Sequence, residues 1–114
     1  MIRLEYKFTS LNAYISAERT NKYVAAKIKR EETEIVRLSL LGKPKINTPC
    51  KLRFIWTTTN KRIDPDNTSW AKKFVLDGMV KANIIPDDTR KHIIGFIDEF
   101  KIGDKDSVTI EVIE

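Results

Sequence analysis

DPDNTSWAKKFVLDGMVKANIIPDD, residues 64–88, is the most informative stretch of this chain. It opens with a carboxylate pair, Asp64 and Asp66, continues as an amphipathic segment and closes with a second pair, Asp87 and Asp88. Four acids in two tight pairs are unusual in a chain with a formal net charge of +5. Two like charges a few ångströms apart repel by roughly 4 kcal/mol at an effective dielectric constant near 20. Such pairs indicate strong solvation, partial protonation or a bridging cation, and the cation is the option that does chemistry.

The length and composition of the chain describe one small domain spanning residues 1–114. Of its 114 residues, 41% are hydrophobic, which is enough to fill a core. Cys50 is the only cysteine, which excludes an internal disulfide and a thiolate metal cluster and fits a reducing compartment. The N-terminus alternates instead of forming a signal peptide, and no apolar run approaches the ~20 residues of a membrane span. We therefore expect a soluble, cytoplasmic protein with no membrane partner.

Hydrophobic periodicity predicts six elements in the order β-α-β-α-β-β. Strands are expected at about 2–8, 50–57, 92–97 and 108–112. Helices are expected at about 21–41 and 68–83, the second with Asn67 or Thr68 as its N-cap. Residues 9–20 read as a polar connection. The order predicts an α+β domain in which two helices pack on a mixed β-sheet.

Basic residues are concentrated in the first half of the chain. Between Arg19 and Arg62 there are twelve Lys or Arg and three acids. Together with the net charge, this asymmetry favours a polyanionic partner, although an ordinary solvated surface has the same composition.

The first carboxylate pair has the chemistry of a magnesium site. Pro65 disfavours helical backbone at Asp64, so we expect an extended segment in which Asp64 and Asp66 point to one side. Mg²⁺ is typically held by one or two carboxylates, and water and substrate phosphate oxygens complete its shell. The alternative that remains open is a D-x-D-N turn that only caps a helix.

Three other kinds of site are disfavoured by the residues. An EF-hand starting at Asp64 needs Gly at its sixth position and Glu at its twelfth, where this chain has Ser69 and Val75. A nucleophilic pair of Cys50 and His92 is disfavoured because Cys50 lies on the apolar face of a predicted strand. His92 is the only histidine, which argues against zinc.

Lys73 and Asp77 are four residues apart on the second predicted helix and therefore share a face. Asp66 projects onto that face if the helical phase extends back to it. A surface pair of this kind contributes roughly 0.3–0.5 kcal/mol to stability. The functional alternative places Lys73 beside the metal, where it holds a phosphate or stabilises charge in the transition state.

In this spacing the segment resembles the RusA-like crossover junction endodeoxyribonucleases, which cleave four-way DNA junctions. The family pattern combines D-x-D-N, a downstream lysine, an aspartate four residues later, and an aspartate pair ending eleven residues after that. The matching residues here are Asp64, Asp66, Asn67, Lys73, Asp77, Asp87 and Asp88. The resemblance covers roughly residues 64–98, with looser similarity in the first strand and at Ser10–Ile15.

The resemblance implies a homodimer that uses Mg²⁺, with Mn²⁺ as the alternative ion, to nick two strands of branched DNA symmetrically. It assigns catalytic roles to Asp64, Asp66, Asp88 and Lys73. It assigns metal binding to Asp64, Asp66, Asp88 and Asp87, with Asn67 and Asp77 in support. The enterobacterial form has its lysine where this chain has Trp70, so Lys72 competes with Lys73 for the catalytic role.

The basic residues would hold the DNA backbone without reading its sequence. Those expected to do so are Arg19, Lys22, Lys27, Lys29, Arg30, Lys61, Arg62 and Lys72. Two other functions stay open: a basic DNA-binding protein without catalysis, and a nuclease for other branched nucleic acids.

A straight helix over residues 68–83 would be about 24 Å long and would keep Asp66 and Asp88 too far apart to share an ion. We therefore expect either that the helix bends or ends early, near Gly78, or that the acids come from two subunits.

Overall fold

The fold consists of a four-stranded sheet with helices on one side, and a computed structural model describes it for residues 1–113. The strands are β1 (Ile2–Leu4), β2 (Cys50–Thr58), β3 (Ile93–Ile102) and β4 (Ser107–Ile113). The helices are α1 (Leu11–Thr20), α2 (Lys22–Leu40), α3 (Pro65–Ser69) and α4 (Lys72–Lys81). The predicted α+β class is confirmed. None of the helices in residues 1–113 has both the length and the apolar character needed to cross a membrane.

The sheet is mixed, with the strand order β1-β4-β2-β3. Strand β4 pairs antiparallel with β1 and with β2, whereas β3 pairs parallel with β2. A parallel pair needs a crossover connection, and here α3 and α4 provide it. Strand β3 therefore lies at one edge of the sheet, directly after the segment that carries all four motif acids.

One hydrophobic core joins the sheet to α2 and α4. Alternate residues of β2, including Leu52, Phe54 and Trp56, are buried beneath the helices. Val36 of α2 and Met79 of α4 are fully buried against them. Each such side chain contributes about 1.5–3 kcal/mol when it is removed from water.

Helix α1 corrects the expectation of a polar connection at residues 9–20. Ser10 caps the helix by accepting a hydrogen bond from the Ala13 N–H at 3.2 Å. The Tyr14 ring packs on Trp70 and Phe74. No residue of α1 is buried, so the sequence lacks the apolar stripe by which helices are recognised.

The helix expected at residues 68–83 is two helices, α3 and α4, separated at Trp70 and Ala71. The N-cap is Asp64 rather than Asn67 or Thr68, and Pro65 occupies the first helical position, where proline is favoured. The expected extended backbone is present at Asp64 but ends there, so the alternation argument for Asp66 was wrong.

Two strand boundaries also differ from the expectation. Strand β1 ends at Leu4 instead of continuing to Phe8, so Tyr6 and Phe8 leave the sheet. Strand β3 continues to Ile102, beyond the expected end at Ile97.

Candidate active site

The first carboxylate pair lies at the start of α3. Asp64 has extended backbone, and its side chain makes no capping hydrogen bond. Asp66 is in the first helical turn, and both residues are exposed. Negative charge at a helix N-terminus is favoured by the helix dipole. Because both side chains are exposed, a cation can reach the pair from solvent.

Lys73 joins two other acids of the motif. Its Nζ lies 3.1 Å from Asp77 Oδ1 and 3.6 Å from Asp88 Oδ2. The hydrogen bond to Asp77, reinforced by the charges of Asp77 and Asp88, raises the pKa of Lys73 above its ordinary value. Lys73 is consequently a cation throughout the neutral range, suited to offsetting negative charge and unsuited to removing protons.

Asp88 of the second carboxylate pair reaches Lys73 because the chain turns sharply after α4. Asn83 adopts a positive φ of 60°, and the Ile84 N–H donates to the Met79 carbonyl at 2.9 Å, which closes the helix end. The Asp87 side chain accepts the Asp88 backbone N–H at 2.8 Å. Asp87 is exposed, whereas Asp88 is half-buried beside Lys73.

Asn67 ties the motif to α1. Its Oδ1 accepts a hydrogen bond from the Asn12 N–H at 3.0 Å. The side chain expected to support the metal site therefore links α3 to the first helix.

Lys72 is already partnered inside the fold. Its Nζ lies 2.6 Å from Asp98 Oδ2 and 4.7 Å from the centre of the Phe96 ring. The other oxygen of Asp98 accepts the Trp56 indole N–H at 2.9 Å. The Lys72 side chain is 19% exposed, against 57% for Lys73. These contacts argue against the expected DNA contact of Lys72 and favour Lys73 as the lysine of the site.

The remaining residues expected to bind DNA are exposed and lie on α1, on α2 and in the loop between β2 and α3. Arg19 is on α1, and Lys61 and Arg62 are in the loop that leads directly to Asp64. Those on α2 are Lys22, Lys27, Lys29 and Arg30. Of these, Lys27 forms an exposed ion pair with Glu31 at 3.8 Å.

Among residues 1–113, no three His, Cys, Asp or Glu side chains form a group that could hold one metal ion. Asp64, Asp66 and Asp88 are therefore not gathered into one three-carboxylate site within a single subunit. Mg²⁺ needs as few as one or two carboxylates, with phosphate oxygens and water as the other ligands. The Asp64–Asp66 pair fits that requirement.

Sequence reasoning missed Glu32, a charged residue that is only 3% exposed. Its carboxylate accepts the Thr9 N–H and the Thr9 hydroxyl, each at 2.7 Å. The spacing of Glu32 from the buried residues Ala25 and Val36 puts it on the inward face of α2, and that spacing was the available signal.

Taken together, the site has an accessible carboxylate pair, a lysine held by two further acids, and basic residues in the preceding loop. No model of a known protein family matches the chain, and no curated protein does so either. The functional assignment therefore depends on the residues and their geometry.

Proposed function

We propose that this chain is a cytoplasmic, Mg²⁺-dependent endonuclease that cuts four-way DNA junctions by paired nicks, with Mn²⁺ as the alternative ion. The observation that supports this most strongly is the approach of Lys73 to Asp88. Both are members of the spacing pattern that resembles the RusA-like nucleases, and the fold brings them within 3.6 Å.

Each residue has a defined role in hydrolysis of a phosphodiester. Asp64 and Asp66 would hold Mg²⁺, which when bound supplies Lewis acidity and lowers the pKa of a coordinated water. Lys73 offsets the charge that develops on the phosphate oxygens. Asp77 and Asp88 hold the Lys73 ammonium in place. Lys61 and Arg62 contact the strand that enters the site.

A basic DNA-binding protein without catalysis is the second candidate. It is favoured by the lack, among residues 1–113, of a group of three acids arranged for one metal ion. In that case the first acid pair only complements the dipole at the N-terminus of α3, and Asp77 and Asp88 only position Lys73.

Strand β3 supports the homodimer because it is an edge strand with uncovered apolar side chains. The side chains of Ile94, Phe96, Ile97, Phe100 and Ile102 are 43–57% exposed. Edge strands are normally protected by charge, proline or a covering element, because their unpaired backbone groups invite another strand. At about 200 Å² for a large side chain, these five offer roughly 400–500 Å² per copy. That is about half of the ~800 Å² that a standard interface buries on each partner.

The pattern along β3 is compatible with pairing to itself. Gly103, just beyond the strand, donates its N–H to the Thr58 carbonyl of β2. Because backbone groups alternate in direction along a strand, the odd-numbered residues at this end of β3 direct their N–H and C=O groups toward β2. The even-numbered residues direct theirs away from β2, toward the open edge. Antiparallel pairing about Asp98 would place Phe96 opposite Phe100 of a second copy and continue the sheet across the dimer.

The test is cleavage of a synthetic four-way junction, with linear duplex of the same sequence as the comparison, in Mg²⁺ and in EDTA. We expect Mg²⁺-dependent, paired nicks in the junction only. Binding without cleavage under every metal condition would favour the non-catalytic candidate. Equal cleavage of duplex and junction would remove the junction selectivity from the proposal.

A further inference from the structure

A cavity of about 430 Å³ opens beside the first carboxylate pair. One wall is residues 6–10, where the chain leaves β1, and the other is formed by Thr57, Thr58 and Asn60, at the end of β2. Ile63 and Asn67, which flank the Asp64–Asp66 pair in the chain, both line it. Its volume is within the ~300–1,000 Å³ of typical ligand pockets. The cavity is therefore large enough for part of a substrate and borders the proposed metal site.

Both walls are held in place by carboxylates. Glu32 accepts two hydrogen bonds from Thr9, whose carbonyl in turn accepts the Trp70 indole N–H at 2.9 Å. Asp106 accepts hydrogen bonds from the Thr59 N–H and hydroxyl, each at 3.3 Å. A cavity with fixed walls binds without a large ordering cost.

The lining combines aromatic rings with donors of hydrogen bonds. Tyr6 and Phe8 are half-buried aromatic residues of this lining, and Lys7 is an exposed cation. Burial, and then the charges of nearby glutamates, raise the pKa of Tyr6, so its phenol stays a donor. A nucleotide matches this lining, because its planar base can stack on aromatic rings and accept hydrogen bonds at its edge, and its phosphate can pair with a cation.

We propose that this cavity receives one unstacked DNA base next to the phosphate that is cut. A base inside a duplex cannot enter a side pocket, so the strand must be open or unpaired at that point. The inference rests on the proposed nuclease function and narrows its substrate to branched DNA that exposes a nucleotide at the branch.

Photo-crosslinking in EDTA tests the pocket without cleavage. The probes are a single-stranded oligonucleotide and a four-way junction, each carrying 5-iododeoxyuridine, in the junction at the branch. We expect mass spectrometry to locate the crosslink within residues 6–10. Tyr6→Ala should reduce the crosslink and weaken binding of the single strand by about fivefold or more, the effect of losing one stacked base. Tyr23→Ala, which removes an exposed ring of α2 outside the cavity, is the matched control and should change neither.

Lys7→Gln provides a second variant if Tyr6→Ala impairs folding, because Lys7 is exposed and lines the same cavity. It should weaken binding of the single strand while the folded fraction, followed by circular dichroism, is unchanged.

The pocket and the nuclease can fail separately. A crosslink at residues 6–10 without any Mg²⁺-dependent cleavage supports the base pocket and overturns the nuclease. Cleavage with crosslinks only at Tyr23 or elsewhere outside the cavity supports the nuclease and overturns the pocket. Unchanged crosslinking and affinity in both Tyr6→Ala and Lys7→Gln would also overturn the pocket.

Discussion

Lys73 and Asp88 are fifteen positions apart in the sequence, yet the Lys73 Nζ lies 3.6 Å from Asp88 Oδ2 in the fold. The approach is achieved because α4 ends at Lys81 and the chain reverses at Asn83. Helix α4 continues through Gly78, so the expected early end near that residue was wrong, and the interruption lies instead at Trp70 and Ala71.

Replacing Lys73 should impair the chemical step more than DNA binding. Lys73→Met removes the positive charge that would stabilise the phosphate oxygens in the transition state. We therefore expect kcat for junction cleavage to fall by about 10²- to 10³-fold. Lys73→Arg retains the charge and should retain more activity. Lys91→Met, at an exposed lysine outside the site, is the control. A Lys73→Met enzyme that cleaves at the wild-type rate would remove Lys73 from the mechanism.

The ionisation of Lys73 should not appear in the pH dependence of cleavage between pH 6 and 9. The hydrogen bond to Asp77 raises the Lys73 pKa, so the folded state favours the protonated form. Its contribution to stability is therefore fully present below the unfolded pKa of about 10.4 and is lost as pH rises through the folded value. Wild type and Lys73→Arg should show parallel profiles of kcat/KM. A fall or rise of kcat/KM between pH 6 and 9 that only the wild type shows would contradict the assignment of Lys73 as a permanent cation.

Asp66→Asn should abolish cleavage while junction affinity stays within about tenfold, because phosphate contacts dominate binding. Gel-shift measurements in EDTA give the affinity, and product analysis in Mg²⁺ gives the cleavage. Asp104→Asn, an exposed acid in the turn between β3 and β4, is the matched control. Cleavage retained by Asp66→Asn would show that this carboxylate is not a required ligand.

Mixing Asp64→Asn subunits with Asp88→Asn subunits should restore cleavage of one strand per heterodimer. Asp88 pairs with Lys73 in its own subunit, and no three-acid metal group is present within residues 1–113, so the expectation is that Asp88 also completes the metal shell of Asp64 and Asp66 on the second copy. Each variant alone is the control and should be inactive. If no mixture recovers activity, each site is contained within one subunit.

Phe100→Lys should convert the dimer to a monomer. The side chain is 43% exposed on the β3 edge, and a charge there would be buried between two copies. Sedimentation equilibrium gives the mass in solution. Leu38→Lys changes an apolar side chain of α2 that is 54% exposed, away from the sheet edge, and should leave the mass unchanged. A dimeric Phe100→Lys protein would place the interface elsewhere.

Gly78→Ala should destabilise the fold although alanine favours helices by about 1 kcal/mol over glycine. A Cβ at Gly78 would overlap the Val36 side chain and would lie 3.1 Å from the Thr33 carbonyl. Overpacking of this kind costs typically 1–3 kcal/mol, and denaturant unfolding measures it. Adding Val36→Ala should recover part of the loss. A Gly78→Ala protein more stable than wild type would show that α2 and α4 separate easily.

Local periodicity was sufficient for the elements with a clear buried face. Helix α2 and strands β2 and β4 lie within a residue or two of their expected bounds, because each has a regular apolar pattern. Helix α1 has no buried residue and was missed for that reason. The break at Trp70 and Ala71 was also missed, because both residues keep right-handed helical backbone and Trp70 lies at helical spacing from Phe74.

The sequence by itself determined the α+β class, the mixed sheet and the set of acids and basic residues from which a site could be made. Only the tertiary structure decided which of two adjacent lysines can reach a substrate. Lys72 forms a largely buried ion pair with Asp98, whereas the more exposed Lys73 pairs with Asp77 and Asp88. It likewise decided that Glu32 is buried against Thr9 and that β3 is an open edge. The physical reason is range: periodicity reports what neighbours along the chain share, whereas the partner of a charge depends on contacts between distant segments.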